Sequence, residues 1–313
     1  MLTKEYWVRM GFIEEDIDCI LANNEKYAHE LEPIVREYIA DLKPDAFRPY
    51  AEGGRDKANQ KAIAFGKKVQ EKLPDADGHV LRLIAWLNCV PHLEKIYKEA
   101  GLSEELFFES MKDFSYKVRE CKNVYGVCGL YVDWFFLFFE LKLFPVGRLQ
   151  YEVDAFEYDE YTCGDLTLKK GDTVYSCHIP STGKLTQELC MDSFQRAYEF
   201  FKPHLKGTVM PMVCHTWLFY KPYLERGVFA EGTNIERFAR LFDIIDTNSC
   251  GSDFEDCGDV FHQEYEGTTE GLPADTSLRR NFIRYIDEGG DFGQGYGVLF
   301  YDGEKREVIQ RTD

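Results

Sequence analysis

GDTVYSCHIPSTGKLTQELCMDSFQRAYEFFK, residues 171–202, holds the clearest strand, loop and helix of the chain. Thr173 to Ile179 alternates, with Val174 and Tyr175 suited to a strand, and stops at Pro180, which has no N–H for a ladder and fixes its own φ. Ser181, Thr182, Gly183 and Lys184 form a small, flexible, basic loop. Thr186 stands where an N-cap accepts a backbone N–H, with Glu188 in the first turn. Leu189, Phe194, Ala197, Tyr198 and Phe201 then recur at three- and four-residue steps and give the helix one apolar face for a sheet. Such a junction presents orphan N–H groups and the positive end of a helix dipole, so an anion can sit there, with Lys184 adding a point charge. Many α/β junctions of this kind hold nothing, and the local pattern leaves both readings open.

Working outward, the 313 residues are long for one core, and two domains are the natural expectation. With 37 Lys and Arg against 55 Asp and Glu, the net charge of −18 excludes broad contact with nucleic acid or an anionic membrane and favours a cationic acceptor. An anionic cofactor therefore needs local basic groups, for which Lys184, Lys169 and Lys170 are the candidates. The ten cysteines have no framework spacing, and MLTKEYWVRMGF lacks the apolar run of a signal peptide, so a reducing cytoplasm is expected. The run Leu130 to Phe144 is too short for a membrane span and carries Asp133, Glu140 and Lys142, so it reads as a core helix with Asp133 and Glu140 on its solvent edge.

Residues 1–145 read as helices. Ile13, Ile17, Ile20, Leu21, Tyr27 and Leu31 follow helical spacing, and Pro33 suits the first turn of a second helix. Gly53 and Gly54 precede a polar helix at 56–69, and Pro74 to Asp77 open a largely buried one. Leu102 to Phe107 reads as a staple, a cap and an acidic first turn.

Residues 146–313 read as a sheet with helices. Leu149, Tyr151, Val153 and Ala155 alternate against Gln150, Glu152 and Asp154, and Thr162, Leu166 and Leu168 suggest the partner strand. VMPMVCHTWLFY after Gly207 is a second strong strand. A helix near 234–240 leads into LFDIID, another covers 276–287, and GYGVLFY is a strand. Strands alternating with helices point to a mixed α/β sheet.

Two tripeptides stand out: Ser176-Cys177-His178 and Val213-Cys214-His215. Neighbours on a strand face opposite ways, so neither Cys–His pair is a ready nucleophile and base. The two histidines share a face if their strands are adjacent, and either one then serves as a general base; as unrelated core or edge histidines they serve no chemistry. Asp246 to Cys257 imitates a calcium loop but puts cysteines where oxygen ligands are needed, and Cys250, Cys257 and His262 lack zinc spacing, so no metal is assigned. Gly289 to Gly297 has the reverse of the dinucleotide-loop order and reads as a helix stop and loop, or a substrate flap.

CHIPSTGKLTQE, VCHTWLFY, GTNIERFARLF and LPADTSLRRNFIRYIDEGGDF, in that order, resemble a bacterial acyltransferase family that joins an all-helical N-terminal domain to a GNAT-like C-terminal domain, GNAT being the N-acetyltransferase superfold that uses acetyl-coenzyme A. The resemblance implies an α+β or α/β chain: a helical domain, 1–145, then a mixed sheet flanked by helices, 146–313. It implies that the strand Thr173–Ile179 pairs with the pantetheine arm of coenzyme A, that the loop Ser181–Leu185 wraps the pyrophosphate, and that the strand Met210–Leu218 splays away to admit the thioester. The cofactor contacts are then His178, Ile179, Pro180, Ser181, Thr182, Gly183, Lys184, Leu185 and Thr186. His215 or His178 is the expected base, and Tyr220 the expected acid. STGKLT departs from the superfold's loop by keeping one glycine, Gly183, which leaves a catalytically silent coenzyme A-binding or sensing module as the alternative. The acceptor is expected to be a small molecule, a cationic amine by charge, and the helical half to shape its pocket or to make a dimer. A cysteine hydrolase built on Cys177 or Cys214 is the weakest reading.

Overall fold

The computed structural model describes residues 3–254 and 256–309. They divide into two compact units, parted between Pro145 and Val146.

The first unit is helical: α1 Lys4–Arg9, α2 Glu14–Ala40, α3 Gly54–Lys72, α4 Gly78–Glu99, α5 Glu104–Tyr125 and α6 Phe136–Phe139. Side chains cap three of them, with Thr3, Asp77 and Ser103 accepting first-turn N–H groups of α1, α4 and α5. α4 is buried nearly all round, from Leu81 to Tyr97.

Two expectations fail here. Pro33 opens no second helix but lies inside α2, because Ile17, Ile20, Leu31, Val35 and Tyr38 bury one continuous face across it. That burial offsets the hydrogen bond a proline removes. The aromatic run is not a helix either: four residues are helical, Leu141 leaves at φ 54°, and Leu143–Val146 is a strand. Phenylalanine has little intrinsic helix preference, and these rings follow packing instead, Phe135 stacking on Phe114 at 3.9 Å between centroids. Asp133 therefore sits on no solvent edge; its Oδ1 is 2.9 Å from Arg82 Nε, off the N–H axis, in a largely covered ion pair.

The sheet of the second unit runs β1-β2-β5-β6-β8-β7, with β9 on β8. Its strands are β1 Leu143–Val146, β2 Leu149–Ala155, β5 Thr173–His178, β6 Val209–Thr216, β7 Asp243–Gly251, β8 Phe292–Asp302 and β9 Glu307–Ile309, while β3 Glu160–Cys163 and β4 Leu166–Lys169 form a separate hairpin. Helix α7, Gln187–Phe201, follows β5, and shorter helices α8 Lys221–Glu225, α9 Asn234–Ala239, α10 Cys257–Phe261 and α11 Ser277–Asp287 complete the unit. β2 thus pairs with β5 and not with the segment around Leu166. The chain leaves β2 through Phe156, whose N–H and C=O bond Asp172 and Gly171, so the intervening hairpin is lifted off the sheet.

That hairpin covers one sheet face, packing Tyr161, Cys163 and Leu168 on Val174, Val213, Val298 and Phe300. The other face takes α7 through Phe194, Tyr198 and Phe201, all essentially buried. The glycine-rich stretch is no flap. Gly293, Gly295 and Gly297 lie in β8, and a Cβ on Gly295 would stand 2.3 Å from the carbonyl oxygen of Phe219. Glycine is required because the turn Trp217–Phe219 lies flat against the strand.

Candidate active site

The parallel joint between β5 and β6 has two paired positions, Tyr175 with Met212 and Ser176 with Val213. Both strands continue, β5 to His178 and β6 to Thr216, without pairing further. The ladder therefore ends before His178 and His215, and beyond Ser176 the β6-facing edge of β5 has no paired partner. Because side chains alternate, Val174, Ser176 and His178 share a face with Val213 and His215. The two histidines stand side by side across the gap, on the hairpin-covered face.

Cys177 and Cys214 point the other way and are buried, and desolvation pushes both thiols well up from the ordinary thiol range. Neither is a nucleophile in this state, which removes the cysteine hydrolase.

His178 is anchored. Its Nε2 lies 2.9 Å from Oε2 of Glu152, a side chain only 1% exposed. Glu152 belongs to the stripe Gln150, Glu152, Asp154 that reads in sequence as a solvent face. Gln150 and Glu152 are in fact buried, since that stripe lies on the face shared with His178.

His215 is exposed and stands opposite Tyr296 of β8, ring centroids 6.2 Å apart. Tyr296 is 6% exposed, and its hydroxyl forms no hydrogen bond among the described residues. Burial first, then the nearby carboxylates of Glu157 and Asp154, push its pKa up, so it keeps its proton. Asp246 of β7 faces Tyr296 across the ladder and accepts from Tyr158 Oη at 2.8 Å. The calcium-loop positions Asp246, Asn248 and Gly251 thus lie on a β-strand, while Glu255 of that motif lies outside the described residues.

The loop after Pro180 is tied from beneath. Arg148 donates from Nε to the carbonyl of Lys184 at 3.0 Å and from Nη1 to that of Pro180 at 3.1 Å. Thr182 N–H bonds Pro180 C=O, Gly183 takes φ +57°, and Thr186 caps α7 by accepting from Leu189 N–H. Ser181, Gly183 and Lys184 are exposed and Leu185 is buried, so the loop turns its polar side outward at the helix N-terminus. Lys169 and Lys170 cannot serve this loop. They stand at the amino end of β5, a strand's length away, and the guanidinium at the loop is that of Arg148.

Tyr220 is not with the histidines. Its ring covers Gly293, on the face opposite Tyr296, and its hydroxyl donates to Asp291 Oδ2 at 2.8 Å. A cavity of about 430 Å³ lined by Leu166, Thr173, Lys206, Val209 and Phe300 also lies elsewhere, at the amino ends of β5 and β6.

A helical unit followed by a mixed sheet whose parallel pair parts beside a capped helix defines an acyl-transfer protein of the GNAT type. The chain belongs to the GNAT-like acyltransferase family: residues 143–299 match the GNAT-like C-terminal domain, and residues 1–141 match the N-acyltransferase N-terminal domain. Among solved structures, an acyltransferase in complex with CoA and 10C-teicoplanin is 19% identical, with TM-score 0.59 over 95% of this chain and 99% of that one. An acyltransferase in complex with decanoyl-CoA is 20% identical, with TM-score 0.56 over 95% and 99%. These likenesses are likenesses of fold. No protein of curated function matches the sequence. No helix among the described residues is long and apolar enough to cross a membrane.

Proposed function

We propose that the protein transfers an acyl group from a coenzyme A thioester to an amine or similar small acceptor. The observation that carries this is the parting of β5 and β6 just before His178 and His215. The pantetheine arm lies along the open edge of β5. The pyrophosphate lies on Ser181 to Thr186, drawing on the N–H groups and dipole of α7, on Lys184 and on the loop geometry that Arg148 holds. Residues 1–145 form the helical domain and 146–313 the transferase domain.

Coenzyme A would supply the activated carbonyl and a thiolate leaving group. Residues of this chain do the rest. His178 takes the proton of the attacking nitrogen as the nitrogen bonds the carbonyl carbon, the C–S bond breaks, and the departing sulfur receives a proton. Tyr296, protonated and without a hydrogen-bond partner, suits that donor better than Tyr220, whose hydroxyl is committed to Asp291. His215, exposed at the same gap, is the second candidate base. The acceptor approaches over the hairpin-covered face, where Asp154, Glu157 and Asp246 favour a cationic amine. Solved acyltransferases of the same fold are in complex with decanoyl-CoA and with teicoplanin, which supports testing medium acyl chains beside acetyl.

The single glycine of the loop keeps one other reading alive, a coenzyme A-binding module without turnover. Titration calorimetry with coenzyme A, acetyl-CoA and decanoyl-CoA, followed by thiol release over an amine panel, separates the two. Binding with amine-dependent release supports transfer. Binding without release supports the sensor, and no binding at all defeats both.

A further inference from the structure

Glu152 has the burial of a core residue and the chemistry of an ion. Withdrawing a carboxylate from water is costly unless it is bonded. The ladder explains how this one is: Glu152 sits opposite Ser176, and His178 is the next residue along β5 on the same face, so the two side chains meet on the diagonal. The 2.9 Å contact to Nε2 results.

We propose that Glu152 is the positioning residue for His178, holding the imidazole in the tautomer with hydrogen on Nε2 and presenting the Nδ1 lone pair to the acceptor. This rests on the reading of His178 as the base. A carboxylate can only accept, so bonding it places the hydrogen on Nε2. A neutral imidazole carries one such hydrogen, which makes Nδ1 the basic atom. Nδ1 has no hydrogen-bond partner among the described residues. When Nδ1 takes the acceptor's proton, the ring becomes an imidazolium beside an anion already in place, and Glu152 itself exchanges no proton, in the logic of a carboxylate that orients and stabilises a catalytic histidine. His215 has no such hydrogen bond among the described residues: it is exposed, beside the Tyr296 ring and within electrostatic reach of Asp246.

The test compares Glu152→Gln, Glu152→Asp and His178→Ala in the full chain, with decanoyl-CoA and the amine that gives turnover in the panel. Glutamine is nearly isosteric but offers Nε2 either an oxygen or an NH2 group, so both tautomers become allowed. E152Q is expected to lower kcat about 100-fold with KM for decanoyl-CoA unchanged, and E152D to recover part of the loss. A structural role would not produce that split or that rescue. If H178A is inactive while E152Q turns over like the wild type, the inference is overturned and the function stands; if H178A keeps full turnover, the assignment of the base falls and takes the inference with it. Should E152Q fail to fold, ¹⁵N spectra of histidine-labelled wild type decide the matter, with the His178 signal assigned by its loss in H178A. Hydrogen on Nε2 supports the proposal, and hydrogen on Nδ1 overturns it.

Discussion

Tyr220 Oη donates to Asp291 Oδ2 at 2.8 Å, on the side of the sheet away from His178 and His215. Ser249 Oγ bonds the same oxygen, and Tyr285 Oη reaches Oδ1 at 3.3 Å. The cluster fastens the end of α11 to the start of β8 and is structural. Tyr220→Phe should cost about 1–3 kcal/mol in urea denaturation while leaving kcat within a few-fold. A loss of turnover without a loss of stability would return Tyr220 to the chemistry.

The same carboxyl makes stability depend on pH. Burial alone would raise the Asp291 pKa, but hydrogen bonds from Ser249, Tyr220 and Tyr285 outweigh burial and hold it below the ordinary value. A depressed folded-state pKa contributes stability that is present above the unfolded value of about 3.9 and is lost as pH falls through the folded one. The Tm difference between wild type and Asp291→Asn should therefore be constant from neutral pH to about 5 and shrink below about 4. A gap that stays constant through that range would show the pairing to be unimportant.

Arg148 braces the loop through two carbonyls rather than by facing it. Arg148→Ala should raise KM for the acyl-CoA about tenfold with little change in kcat, and should expose residues 181–185 to limited proteolysis. An unchanged KM would mean that the loop holds its shape unaided.

At β8 the turn Trp217–Phe219 leaves no room for a side chain. Gly295→Ala should destabilise by about 3 kcal/mol, read as a lower urea midpoint. Tolerance of alanine would contradict the flat packing of Phe219.

Iodoacetamide at pH 8 should modify Cys250, which is exposed, and spare Cys177 and Cys214, which are buried with raised pKa values. Peptide mass spectrometry reads the sites. Fast labelling of either strand cysteine would reopen the question of a thiol nucleophile.

Local chemistry made part of this molecule readable from residues alone. Pro180, Thr186 and the spacing of Phe194, Tyr198 and Phe201 mark the β5–α7 junction because strand end, cap and amphipathic face each need particular side chains nearby in sequence. Placing His178 and His215 on one face needed only alternation and adjacency. Glu152 was hidden because a strand that alternates polar and apolar looks half-solvated, and nothing local says that its polar side will be buried as well. Arg148 acts 36 residues from Lys184, and only the fold brings them together. The aromatic run misled because hydrophobicity without period cannot separate a buried helix from buried loop and strand.

The two rungs between β5 and β6 also have a mechanical meaning. Pulled from opposite ends in an optical trap, the sheet should tear first along this joint, dividing β1, β2 and β5 from β6 to β9. The crevice proposed for the thioester is thus the sheet's fracture line, and a polypeptide cut between α7 and β6 would yield two fragments whose reassembly reports on that seam.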